Sequence, residues 1–192
     1  MRPAFIARGT VESRVRPTGF TLVEMGIVLA TISIMSAIAF PNISSMMANY
    51  RLKAAARDVM SHLQRAKMVA VKNNSLCTLT FNQHVEGVPY DYVVYEDDDR
   101  DYEYDAGERI LASVKFSDYK SGVGLDHSKG GGDGVTFAEN DAGRPSIAFN
   151  SRGLPVSPGG VAGMGMGSVY LVNNRETKKW ISVHKAGRIR IQ

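Results

Sequence analysis

Three groups of side chains in this 192-residue chain have types and spacing suited to chemistry. The first is the run Asp97-Asp98-Asp99-Arg100-Asp101-Tyr102-Glu103-Tyr104-Asp105-Ala106-Gly107-Glu108. Its carboxylates at Asp97, Asp99, Asp101, Asp105 and Glu108 stand at positions 1, 3, 5, 9 and 12, the ligand spacing of an EF-hand calcium loop. Tyr102 holds position 6, where glycine is expected for the sharp turn, and strand-like rather than helical segments flank the run. Two readings stand: a calcium site set in a β-hairpin, and a solvated acidic loop whose like charges repel. The second group is the C-terminal tail. In Arg188-Ile189-Arg190-Ile191 strand alternation puts both arginines on one face, with Lys178, Lys179 and Lys185 close in sequence. Guanidinium forks suit phosphates, so these residues fit salt-dependent, sequence-independent binding of double-stranded DNA. A charge-guarded edge strand is the alternative. The third group is one residue, Glu24, the single charge in the apolar stretch Phe20–Phe40.

Catalysis finds little support. His62, His84, His127 and His184 are scattered, without the local pairing of a zinc site, and no nucleophile elbow is marked. The lone cysteine, Cys77, alternates within a strand-like segment as a small core residue and excludes an intramolecular disulfide. Gly130-Gly131-Gly132 is not followed by the Gly-Lys-Ser/Thr of a phosphate loop. The expectation is a protein that is not an enzyme, with no cofactor beyond the calcium of the acidic run.

The elements that must carry these groups follow from composition and period. An apolar fraction of 44% and a charged fraction of 22% are those of an ordinary folded domain. The net charge of +4 hides two poles: nine acidic residues in 91–108 against Arg100 alone, and six Lys/Arg in 169–192 against Glu176 alone. Phe20–Phe40 has 21 residues, and as a helix would reach roughly 31 Å, about the thickness of a bilayer core. The preceding residues carry Arg2, Arg8, Arg14 and Arg16 against Glu12, so this flank is expected on the cytoplasmic side. A carboxylate inside such a span is costly unless it finds a partner, and a cation on a neighbouring chain is the partner expected for Glu24. Past Pro41, expected to bend the helix without ending it, Leu52, Ala56, Val59, Leu63, Ala66 and Ala70 form one apolar stripe to about Val71. Eight short strands are expected beyond Ser75: Leu76–Asn82, Tyr90–Glu96, Arg109–Phe116, Gly134–Ala138, Ser146–Asn150, Ser168–Asn173, Trp180–His184 and Arg188–Ile191. The stretch Gly153–Gly167, rich in Gly, Pro and Met, reads as a loop. Helix followed by strands makes the fold class α+β.

Gly19-Phe20-Thr21-Leu22-Val23-Glu24 resembles the class III signal of type IV pilins and type II secretion pseudopilins. Farther along, Phe149-Asn150-Ser151-Arg152-Gly153, Tyr170-Leu171-Val172, Trp180-Ile181-Ser182-Val183 and Gly187-Arg188-Ile189-Arg190 are similar to the GspH/FimT family of minor pilins. The resemblance implies a pilin-like fold, a long N-terminal helix packed on an antiparallel β-sheet head. Residues 1–19 would be a cytoplasmic leader that is removed, 20–41 a transmembrane and assembly segment, 42–74 an amphipathic helix, and 75–192 a periplasmic head. It implies cleavage by prepilin peptidase between Gly19 and Phe20, N-methylation of Phe20, and assembly roles for Glu24 and Pro41. The implied partners are minor and major pilins or pseudopilins, the peptidase and inner-membrane lipid. The implied function is that of a structural subunit in the tip or initiation complex of a type II secretion pseudopilus or a type IV pilus. Some members of the family bind DNA during uptake, which makes double-stranded DNA at Arg188 and Arg190 the alternative.

Overall fold

A 52-residue helix, α1 (Leu22–Asn73), dominates the chain and runs through Pro41 without interruption. The structure, a computed structural model, describes residues 19–159 and 164–192. The leader expected at 1–19 therefore lies, but for Gly19, outside the described residues. Two compact units divide inside α1, one ending at Pro41 and the other spanning Asn42–Gln192.

In the first unit, Thr21 caps α1: its Oγ1 accepts the backbone N–H of Glu24 at 3.1 Å. Thr21 and Glu24 have the spacing of a capping box, which adds a local reason for an acid at this position. Leu22, Val23, Ile27, Leu29, Ile32 and Ile34 are all exposed. This is a helix long and apolar enough to cross a membrane. Two of its hydroxyls are satisfied internally, Thr31 donating to the carbonyl of Ile27 at 2.7 Å and Ser33 to that of Leu29 at 2.8 Å.

In the second unit, nine strands follow α1: β1 (Leu76–Val85), β2 (Val88–Asp97), β3 (Ile110–Val114), β4 (Gly124–Leu125), β5 (Ser146–Phe149), β6 (Pro155–Val156), β7 (Gly167–Val172), β8 (Lys178–Val183) and β9 (Ile189–Ile191). They form two sheets, β3-β2-β1-β5-β6 and β4-β7-β8-β9, with every pairing antiparallel. The apolar stripe of α1 (Leu52, Ala55, Ala56, Val59, Leu63, Ala66, Ala70) is buried against both: against Cys77, Leu79, Phe81, Tyr92 and Phe149 of the first sheet, and Val169, Leu171, Ile181 and Val183 of the second. The alanines lie on the helix and the rings on the strands, so large side chains fill the space that small ones leave.

Two corrections to the expected strands have clear causes. Gly134–Ala138 is no strand, because it passes from one sheet to the other: Val135 bridges Val169 of β7, while Ala138 accepts the N–H of Ser146 in β5. Neither neighbour holds it long enough to form a ladder. Within the expected loop Gly153–Gly167, Pro155–Val156 pairs with β5 as β6. Two residues are too few to show a period.

The edges of the two sheets meet under one lysine. Gly153 (φ 72) and Gly187 (φ 71) both take left-handed backbone, and a Cβ on Gly187 would stand 2.6 Å from the carbonyl oxygen of Gly153. A Cβ on Gly153 would stand 2.9 Å from Cε of Lys67. The Lys67 ammonium donates to the Gly187 carbonyl at 2.9 Å. The lysine stem thus covers two bare backbones, and only glycine fits at either. These are the glycines of the Asn-Ser-Arg-Gly and Gly-Arg-Ile-Arg segments.

Leu63→Ala should lower the unfolding free energy of the head by about 2–5 kcal/mol in denaturant melts, because Leu63 is fully buried between the sheets. Met68→Ala, one turn along on the exposed side, should leave the midpoint unchanged.

Candidate functional site

The acidic run forms the loop of the β2–β3 hairpin, and its shape is set by its own carboxylates. Asp97, buried at the end of β2, accepts the Thr78 hydroxyl at 2.8 Å and the Tyr102 N–H at 3.1 Å on Oδ2, and the Arg100 N–H at 2.6 Å on Oδ1. Glu108 closes the loop from the other side, accepting the N–H of Asp98 at 3.0 Å and of Asp105 at 2.9 Å. Asp101 accepts the N–H of Glu103 at 2.8 Å. Arg100 (φ 69) and Tyr102 (φ 67) take left-handed backbone. Tyr102 therefore adopts the conformation glycine would supply at position 6. It tolerates that strain because its ring is buried with Leu76, Ala148 and Val156 on the sheet face away from α1. Its carbonyl accepts Asn140 Nδ2 at 2.8 Å.

The five carboxylates found by spacing fall into two trios. Ligand oxygens of Asp97, Asp99 and Glu108 lie within 4.8 Å of one another, and so do those of Asp99, Asp101 and Asp105, so Asp99 joins the two trios. The donor set is all carboxylate, the chemistry a hard divalent cation takes. Burial holds the Asp97 carboxyl above the ordinary carboxylate range against the opposing pull of Thr78, Arg100 and Tyr102. Burial raises Glu108 too. A bound cation would favour the charged form at both.

The basic residues of the tail are dispersed rather than gathered. β9 is an edge strand, and Arg190 is exposed opposite Ser182 while Ile189 and Ile191 pack on the core. Arg188, also exposed, alternates onto the same outer face. That face carries Tyr170 beside Trp180, ring centroids 6.4 Å apart. Lys178 shares the face but is engaged: its ammonium lies 2.7 Å from Asp126 and 3.1 Å from Ser128 Oγ. The Lys178 and Ser128 hydrogen bonds hold the Asp126 carboxyl at about 2. Lys179 alternates to the opposite face, and Lys185 lies in the β8–β9 turn. Of the processing and assembly residues, Gly19 and Phe20 precede α1, Glu24 is in its first turn and Pro41 is within it.

Other side chains singled out in the sequence have structural places. Cys77 is fully buried, and burial pushes its thiol up to about 12, so it is inert. His62 Nδ1 and the Tyr92 hydroxyl share a hydrogen bond of 2.9 Å, and burial lowers the imidazole. Sequence reasoning missed Lys67 and its two glycines, and Asn140 under the acidic loop. The paired glycines carried a signal, since each sits in a segment of family likeness.

With the geometry in view, the family model described as type II transport protein GspH matches residues 55–187. The chain belongs to the GspH family. It is thus of the minor pilin and pseudopilin kind, and its long helix on antiparallel sheets is the pilin-like architecture. The match runs from the middle of the α1 stripe to Gly187, so the apolar half of α1 and the Arg188–Arg190 tail lie outside it. The crystal structure of the type IV minor pilin FimU of Pseudomonas aeruginosa aligns with 77% of this chain and 92% of its own length, at 14% identity and a TM-score of 0.44. No curated protein matches the sequence.

Because the folded-state value of Asp97 is raised, its contribution to stability is greatest below the ordinary carboxylate range and falls as pH rises through the window up to the raised value. The melting temperature of Asp97→Asn relative to the parent, measured without divalent ions, should therefore improve as pH rises from about 4, the ordinary carboxylate value, towards the raised one.

Proposed function

We propose that this GspH-family chain is a structural subunit of the tip or initiation complex of a type II secretion pseudopilus or type IV pilus. The observation that carries the reading is the division of labour along α1. An exposed apolar stretch with one acid follows Gly19, and its continuation buries a stripe in the head. Prepilin peptidase cuts between Gly19 and Phe20 and N-methylates Phe20. The chain then rests as a single-pass protein of the inner membrane with its head in the periplasm, and leaves lipid by packing beside other minor and major pilins or pseudopilins. The new amine on a neighbour's Phe20 pairs with Glu24, which relieves the cost of a carboxylate in an apolar setting. The chain does no catalysis; chemistry is done to it. Gly19→Trp should accumulate a heavier, unmethylated precursor on mass spectrometry of membrane fractions. Mature-sized protein from that variant would overturn the assignment.

The acidic hairpin is read in the same proposal as a calcium site, supported by the two carboxylate trios that share Asp99. Calcium at about 100 times its dissociation constant adds about 2.7 kcal/mol, so the melt in calcium should lie several degrees above that in chelator. Asp99→Asn should remove the difference, and equal melts of the parent chain in calcium and chelator dismiss the site.

A second reading, capture of double-stranded DNA for uptake, is favoured by one observation: Arg188 and Arg190 are exposed on the face that bears Tyr170 and Trp180. Arginine forks take phosphates, and the aromatic pair offers a stacking surface. The protein should retard double-stranded DNA at low salt, with retardation lost in Arg188→Ala/Arg190→Ala. No retardation at low salt removes this reading.

A further inference from the structure

Just past Pro41, α1 leaves a second apolar surface uncovered. Ile43, Met46, Met47 and Tyr50 recur at the spacing of one helical face and are 47 to 64% exposed. They point away from the strands, since the buried positions that follow on α1 are Ala48, Leu52, Ala55 and Ala56. Lys53 and Arg57, both exposed, continue the same face over the next two turns. Along this face the order is therefore apolar side chains, then a ring with a polar tip, then cations. No Asp or Glu occurs from Met25 to Arg57. Three polar contacts bring other parts of the head to this end of it. Arg175 donates to the Ser44 hydroxyl at 3.4 Å, the Asn173 amide to Asn49 at 3.1 Å, and Arg51 to the Ser121 hydroxyl at 2.6 Å. Arg175 stays exposed there, with Glu176 the acid beside it.

We propose that this face of the head lies on an anionic phospholipid surface, that of the membrane crossed by the first half of α1. Ile43, Met46 and Met47 enter the boundary between acyl chains and headgroups, Tyr50 stands at the headgroups, and Lys53, Arg57 and Arg175 meet phosphates. The proposal rests on the reading of the apolar half of α1 as a membrane span and carries it into the folded head. Continuity is the first argument. Ile43 is two residues past Pro41, so the stripe begins where the span ends. The 26 residues from Leu22 to Met47 make roughly 39 Å of helix, more than the about 30 Å of a bilayer core. Excess apolar length is taken up by tilting or bending, and a stripe on one side alone sets the direction. The order of residue types is the second argument. A tyrosine after the last large apolar side chains, and long cations after the tyrosine, match the successive polarity of a membrane boundary. Charge is the third: each Lys or Arg near an anionic surface adds about 1 kcal/mol of attraction, and no acid stands on α1 before Asp58 to oppose it. The rival cover is the same stretch of a second copy, which would set Lys53 and Arg57 against like charges. Seated on lipid, the resting subunit keeps its head against the bilayer until helices of other subunits replace lipid on the stripe.

The test places the full-length chain, at low protein density, in vesicles of phosphatidylethanolamine and phosphatidylglycerol. Single cysteines at Ile32→Cys, Met46→Cys and Ala142→Cys carry a polarity-sensitive fluorophore; Cys77 is buried and takes no label. Ala142 is exposed, next to Asp141, which shares a cavity with Asn74 after the end of α1. The Ile32 label should be quenched by brominated lipid and the Ala142 label should not. The Met46 label should be blue-shifted and quenched by lipid brominated close to the headgroup. Lys53→Glu/Arg57→Glu, both at exposed positions, should cut that quenching about twofold, and so should replacing phosphatidylglycerol by phosphatidylcholine. A quenched Ile32 label with a Met46 label in water overturns this proposal and leaves the membrane span standing. An unquenched Ile32 label overturns the span itself, and the proposal with it. Quenching at Met46 that is indifferent both to the charge reversal and to the lipid's charge overturns the headgroup contact. A Met46 label shielded only at high protein density and untouched by brominated lipid gives the stripe to a neighbouring helix and also overturns the proposal.

Discussion

A single uninterrupted helix has to satisfy two unlike surroundings, and the rest of the structure follows from that constraint. Up to about Pro41 the helix is apolar and exposed on all sides, long and apolar enough to cross a membrane; Thr31 and Ser33 return their hydroxyls to the backbone, and Glu24 lies in the first turn. Beyond it the helix must be apolar on one side only. The change is made by composition and not by a break, with Leu52, Val59 and Leu63 set among Ala48, Ala55, Ala56, Ala66 and Ala70. Alanines keep helical propensity high while bringing the strand rings close. Two sheets can then share one stripe: Tyr92, Phe81 and Phe149 come from one, Leu171 and Ile181 from the other.

What was legible in the sequence is what has a period. The helical stripe repeats often enough to be read, as does the alternation that buries Cys77, Leu79 and Phe81. The other face of β1 was harder. Thr78 and Thr80 look solvent-facing, yet both are fully buried. The acidic loop folds over that face, so Thr78 donates to Asp97 and Thr80 joins the Tyr95 and Ser146 hydroxyls at 3.0 Å. No local pattern announces a cover supplied from residues some twenty positions away. The two-residue strands β4 and β6 and the crossing segment Gly134–Ala138 exist through neighbours alone, and propensity is silent there.

The candidate sites divide along the same line. The five acidic residues found by spacing stand in two trios that share Asp99, because a hairpin loop preserves local order. Tyr102 looked like the residue that spoiled the motif. It is the one that holds the loop down, trading an unfavourable backbone angle for a buried ring. The basic residues of the tail were grouped by proximity in sequence, which a strand does not preserve. Alternation sends Lys178 and Lys179 to opposite faces, and Asp126, distant in sequence, engages Lys178.

The charge poles show how a local composition becomes a surface. The acids at 91–108 are contiguous, so their pole exists as soon as the hairpin forms. The cations beside the meeting of β6 and β9 are different: Arg65 and Lys67 come from α1, and the Lys67 stem reaches across to Gly153 and Gly187. An ammonium among other cations is an unfavourable place for a charge, and the Gly187 carbonyl at 2.9 Å gives it a dipole to face. The backbone approach at Gly153 and Gly187 is thus an electrostatic requirement as well as a packing one. A side chain at either glycine would part the sheets and displace the Lys67 stem.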